Sequence, residues 1–71
     1  MTVKEAVALE YSLRPNVFFM VDMIQDVKFR LSRPDIYDGS ILRKLRELRQ
    51  ENPAQFGFKV ENQRKSIYRK L

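Results

Sequence analysis

At Asn52-Pro53 the apolar pattern of this chain changes period, and that change limits the folds open to it. Before it, Ile41, Leu45 and Leu48 recur at spacings of four and three, the mark of one buried helix face. After it, Phe56, Phe58 and Val60 alternate with Gly57, Lys59 and Glu61. Ile67, Arg69 and Leu71 then alternate with Ser66, Tyr68 and Lys70. Alternation is the strand period. The polar run Asn62-Gln63-Arg64-Lys65 suits a turn, so the segment predicts a two-stranded antiparallel hairpin over about 56–71. Gly57 marks a bulge or a close backbone approach. A two-stranded ribbon is marginal by itself and must lean on the helices before it, which predicts an α+β domain.

Three helices are expected. The first covers about 3–13, with Thr2 as N-cap and Glu5 three residues on, the spacing of a capping box. The second covers 16–31, where Phe19, Met20, Met23, Ile24, Val27 and Leu31 form the strongest apolar face of the chain. Pro15 suits its first turn, and Ser32-Arg33-Pro34 ends it, because proline pushes Arg33 out of helical geometry. The third covers 40–51, capped by Asp38 or Ser40 and stopped by Asn52 in a left-handed C′ position ahead of Pro53. In the connector, Ile36 and Tyr37 are expected to plug into the core.

Size and composition remove most chemistry. The 71 residues make one domain at most, and 44% hydrophobic content is too apolar for a disordered tail. With no cysteine and no histidine, disulfides, the common zinc sites and imidazole catalysis are gone. Asp22 and Asp26 are two lone carboxylates, too few for a metal site, and no cofactor site is visible. There is no nucleophile–base pair and no glycine-rich phosphate loop, so a non-enzymatic protein is expected. The longest apolar run, Val17–Val21, is far shorter than the roughly 20 residues of a membrane helix, so no membrane partner is expected and the cytoplasm is the default compartment.

The net charge of +5 is unevenly spread. Residues 1–27 hold two basic residues against four acidic ones, a net of −2. Residues 28–71 hold twelve against five, a net of +7. A basic C-terminal part attracts phosphate backbones, or else is an ordinary solvated surface.

The helix Gly39-Ser40-Ile41-Leu42-Arg43-Lys44-Leu45-Arg46-Glu47-Leu48-Arg49, followed by Asn52, the strand Phe56–Val60 and the closing Ile67-Tyr68-Arg69, carries a resemblance. From about Val17 to Leu71 the chain resembles winged helix-turn-helix domains, and it is similar in size to small phage and mobile-element proteins of that kind. The segment 16–31 is longer than the family's usual second helix. The resemblance implies a three-helix winged fold that binds double-stranded DNA, with helix 40–51 in the major groove and Arg64 and Lys65 at the wing tip near phosphate. A transcriptional regulator or mobile-element accessory factor is the implied role.

The residues supply their own arguments beside it. Ser40, Arg43, Lys44, Glu47 and Gln50 fall opposite the apolar face of the third helix. Arg43 or Lys44 suits guanine, Gln50 suits adenine, and Glu47 either accepts from cytosine or orients Arg43. The competing reading is a solvated face in which Glu47 pairs with Arg43 or Lys44. Arg46, on the flank, and Arg33, before the helix, are phosphate candidates, and Arg49 sits close to the apolar sector. Arg64 and Lys65 suit phosphate or the minor groove, or are an ordinary polar turn. Phe18, Phe19, Phe29, Phe56 and Phe58 are expected in the core, with stacking on single strands as the lesser alternative. A single small module binds weakly, which makes a homodimer through residues 1–27 a candidate, by way of Val3, Val7 and Phe18. The second functional reading is a protein-interaction module using Ile36–Tyr37 or the exposed part of 16–31.

Overall fold

The capping box forms as the sequence predicts. In a computed structural model covering residues 1–71, Thr2 Oγ1 accepts from the Glu5 N–H at 3.1 Å, and Glu5 Oε1 accepts from the Thr2 N–H at 2.7 Å. They open helix α1, Val3–Leu13. The elements that follow are β1 (Val17–Phe19), α2 (Met20–Leu31), α3 (Asp38–Glu51), α4 (Pro53–Phe56), β2 (Phe58–Asn62) and β3 (Ile67–Lys70).

The segment 16–31 is therefore two elements rather than one helix. Its opening residues, β-branched and aromatic, suit a pleated strand. They pair antiparallel with β3, setting Val17 opposite Arg69, Phe18 opposite Tyr68 and Phe19 opposite Ile67. The Met20 N–H then donates to the Ser66 carbonyl at 2.8 Å, so the first turn of α2 is tied to the sheet. The expected two-stranded hairpin becomes a three-stranded antiparallel sheet in the order β1-β3-β2. Two backbone ladders on β3 satisfy groups that a bare hairpin leaves to water. α2 itself ends on Ser32, whose φ of 54° is left-handed, with the Ser32 and Arg33 N–H groups returning to the Phe29 and Lys28 carbonyls at 3.0 Å.

Around Asn52 the expectation also fails. Asn52 has φ −146°, not a left-handed C′ conformation, and its carboxamide oxygen accepts from the Gln55 N–H at 3.2 Å. It is the N-cap of the one-turn helix α4, with Pro53 in the first turn, where its missing N–H costs nothing. Phe56 enters the core from that turn instead of from a strand, and the hairpin runs from Phe58 to Lys70 with a bulge between Val60 and Asn62. Gly57 is a close approach: a Cβ there would stand 2.6 Å from the Pro53 carbonyl oxygen. Helix α3 begins earlier than expected, with Tyr37 as its N-cap and no side-chain cap, so neither Asp38 nor Ser40 plays that part. Asp38 lies in the first turn and pairs with Lys28 of α2 at 2.6 Å.

The core joins all these elements. Val7 and Tyr11 of α1, Met23 and Val27 of α2, and Ile41 and Leu45 of α3 are its largest fully buried side chains. The Tyr11 ring stands edge-on to Phe18, and its hydroxyl donates to the Gly57 carbonyl at 2.8 Å. Burial raises the Tyr11 pKa above its ordinary value. Glu10, only 4% exposed, accepts from Arg14 at 3.0 Å and from Arg30 at 2.5 Å, and Arg14 also reaches Asp26 at 2.8 Å. A buried carboxylate held by two guanidiniums fixes α1 against α2.

Three aromatic expectations are corrected. Phe29 is 87% exposed and Tyr37 76%, so neither plugs the core, and Phe19 is half out on the far face of β1. Phe29 points away because the buried residues of α2, at 20, 23, 24 and 27, occupy the other side of the helix. Two of the three residues expected on a dimer surface are enclosed: Val7 is fully buried and Phe18 is 5% exposed, while Val3 is partly buried.

Candidate nucleic-acid interface

Helix α3 presents three faces. Ile41, Leu45 and Leu48 are buried. At 100° per residue, Gly39, Arg43, Arg46 and Gln50 fall on one line along the opposite side, and the last three are exposed. Ser40, Lys44 and Glu47 lie to one side of that line and are half-buried, on the flank where Glu51 pairs with Lys4 of α1. Leu42 and Arg49 lie to the other side, toward the hairpin. There a cleft of about 320 Å³ has Leu45, Phe58 and Tyr68 among its lining residues, and the Arg49 guanidinium sits 4.4 Å from the Phe58 ring centroid. Arg49 is thus held by cation–π contact next to the apolar sector.

This arrangement reorders the expected site. Arg46 moves from the flank to the centre of the exposed line. Lys44 pairs with Glu47 at 3.2 Å, in a geometry too oblique for a hydrogen bond and leaving Glu47 Oε2 without one. Glu47 therefore does not orient Arg43, and neither Lys44 nor Glu47 faces outward as Arg43 and Gln50 do. Ser40 is turned aside with them.

Ion pairing separates the cations further. Lys4 takes Glu51, Lys28 takes Asp38, and Arg14 and Arg30 share Glu10. Lys59 and Arg69 share Glu61, whose pKa is held below the usual carboxylate range chiefly by the Arg69 hydrogen bond. The hydrogen bond from Glu51 raises the Lys4 pKa. Lys70 lies 4.8 Å from the Tyr11 ring centroid and donates to the Arg14 carbonyl at 2.6 Å, and burial, then the Arg14 charge, lowers its pKa. With Arg49 and Lys70 against aromatic rings, five exposed cations have no carboxylate partner: Arg33, Arg43, Arg46, Arg64 and Lys65. All five are residues that sequence reasoning singled out.

Arg64 and Lys65 occupy a shaped turn. Asn62 Oδ1 accepts from the Lys65 N–H at 3.0 Å, and Ser66 adopts φ 56° to bring the chain back into β3. Arg33 precedes α3 in the connector, directly after the left-handed Ser32.

One exposed residue beside this line, Tyr37, is not among the DNA-contact candidates that the sequence offers. The Tyr37 ring lies across Gly39, where a Cβ would stand 2.4 Å from Tyr37 Cε2. The signal was present in the sequence as a glycine in the first helical turn, which costs helix stability unless something must come close. No group of three acidic side chains is close enough to hold a metal ion, and no helix is long and apolar enough to cross a membrane. No family model matches this chain, and neither a curated protein nor a solved structure does.

Proposed function

We propose that this protein is a winged helix-turn-helix domain that binds double-stranded DNA, with α3 in the major groove and the β2–β3 turn on the phosphate backbone. The observation that carries the reading is the segregation of charge. Seven of the fourteen cations are neutralised by carboxylates and two lie against aromatic rings. The five left over belong to the connector before α3, the outer line of α3 and the hairpin turn. Unpaired guanidiniums on a helix face suit base edges and phosphates, and Gln50 on the same line suits adenine. The order of third helix then hairpin, and a second helix shortened by β1, support the winged reading. The role is that of a binding protein without catalysis, in transcriptional control or as an accessory to a mobile element.

The test is an NMR titration of labelled protein with a short random-sequence duplex. Salt-reversible shifts at Arg43, Arg46, Gln50 and residues 62–66 are expected, and Arg43→Glu with Arg46→Glu should abolish them. Binding that survives both reversals overturns the assignment. Shifts confined to the surface around Phe29, the most exposed large apolar side chain, point to a protein-docking module instead.

A further inference from the structure

The line Arg43–Arg46–Gln50 consists of hydrogen-bonding side chains, and the ring of Tyr37 lies at its head, over Gly39. The ring is 76% exposed, so its burial contributes little to the fold. Its backbone is nonetheless firmly set. The adjoining Ile36 is buried, the Tyr37 carbonyl accepts from the Ser40 N–H at 2.9 Å, and the next residue, Asp38, is clamped by Lys28 at 2.6 Å. With its backbone fixed in this way, the residue loses only side-chain freedom on binding. Among the groups that base pairs display in the major groove, the apolar one is the thymine C5-methyl.

We propose that Tyr37 is a specificity-determining residue whose ring packs against a thymine methyl group, with Gly39 as the residue that permits that ring position. The assignment rests on the DNA reading above and adds a base preference to it. Gly39 does not have a positive φ, so alanine fits its backbone; the added Cβ displaces the ring instead.

The experiment compares fluorescence-anisotropy affinities for an alternating dA–dT duplex and for the same duplex with deoxyuridine in place of thymidine, which removes only the methyl. The unmodified protein is expected to bind the thymidine duplex about four-fold more tightly for each methyl buried, the transfer value of one such carbon. Tyr37→Ala and Gly39→Ala should each erase the difference, and Tyr37→Phe should keep it. Amide spectra of each variant establish that the fold is intact. Binding to both duplexes with equal affinity overturns the proposal, as does a thymidine preference that survives Tyr37→Ala or disappears in Tyr37→Phe. Failure to bind either duplex removes the DNA reading itself, and the proposal falls with it.

Discussion

Replacing Arg64 and Lys65 together by serine should flatten the salt dependence of DNA binding by a calculable amount. Five cations lack a carboxylate partner, and each phosphate neutralised contributes about −0.9 to the slope of log K against log salt. If all five meet phosphate, the slope is about −4.5, and affinity falls about 500-fold between roughly 50 and 200 mM salt. Without the two turn residues the slope is about −2.7 and the fall about 40-fold. Neither side chain makes a hydrogen bond or ion pair in the fold, and the turn is held by Asn62 through the Lys65 backbone N–H, which serine retains. Stability should therefore be unchanged, and the difference reads on binding alone. The assay is anisotropy of a labelled random-sequence duplex across a salt series. A slope identical in the double variant refutes a phosphate contact by the turn. A slope shallower than about −1 in the unmodified protein refutes the electrostatic argument as a whole.

Other expectations concern the fold. Tyr11→Phe removes the donor to the Gly57 carbonyl and should cost about 1–2 kcal/mol by urea denaturation near neutral pH. Because the folded pKa of Tyr11 lies above its ordinary value near 10.0, its contribution is complete below that pH and is lost as pH rises through the folded value; the deficit of the phenylalanine variant should shrink accordingly under alkaline conditions. Glu10→Gln leaves Arg14 and Arg30 without their shared charge and should cost about 2 kcal/mol, a figure reduced for the partial exposure of Arg30 and checked by thermal unfolding. Thr2→Ala removes the side-chain acceptor of the Glu5 N–H while the backbone N–H of residue 2 keeps its bond to Glu5 Oε1, and should cost about 0.5–2 kcal/mol in the same assay, with hydrogen exchange accelerated in the first turn of α1.

Features written in local pattern were legible in the sequence. The capping box needs only Thr2 and Glu5 at the right spacing, and the buried face of α3 needs only Ile41, Leu45 and Leu48. What failed depended on partners distant in the chain. Val17–Phe19 reads equally as strand or helix until β3 is known to be beside it, and the helical spacing of Phe19 and Met20 with later residues favoured the wrong answer. Asn52-Pro53 carries signals both for stopping one helix and for starting another, and only the structure shows the second in use. The free cations of the candidate site were identified individually, but their separation from Lys44 and Glu47 depended on how α3 is rotated against α1 and the hairpin. An aromatic beside Ile36 reads as a core plug; only the backbone path shows Ile36 turned in and Tyr37 out.

The central strand of the sheet, β3, is also the last of these elements in chain order. Until it emerges from synthesis, β1 and β2 have no ladder between them, the Met20 N–H lacks its acceptor, and the Lys70 N–H cannot reach the Asn16 carbonyl, 54 positions back in the chain. Contacts of such long separation delay folding, because the chain must close a large loop before any of them forms. Completion of the sheet thus waits on β3. A nascent chain halted before β3 would lack the Tyr68 ring that stacks on Phe18, a side chain that the folded domain encloses, and would be an early target for chaperones and proteases.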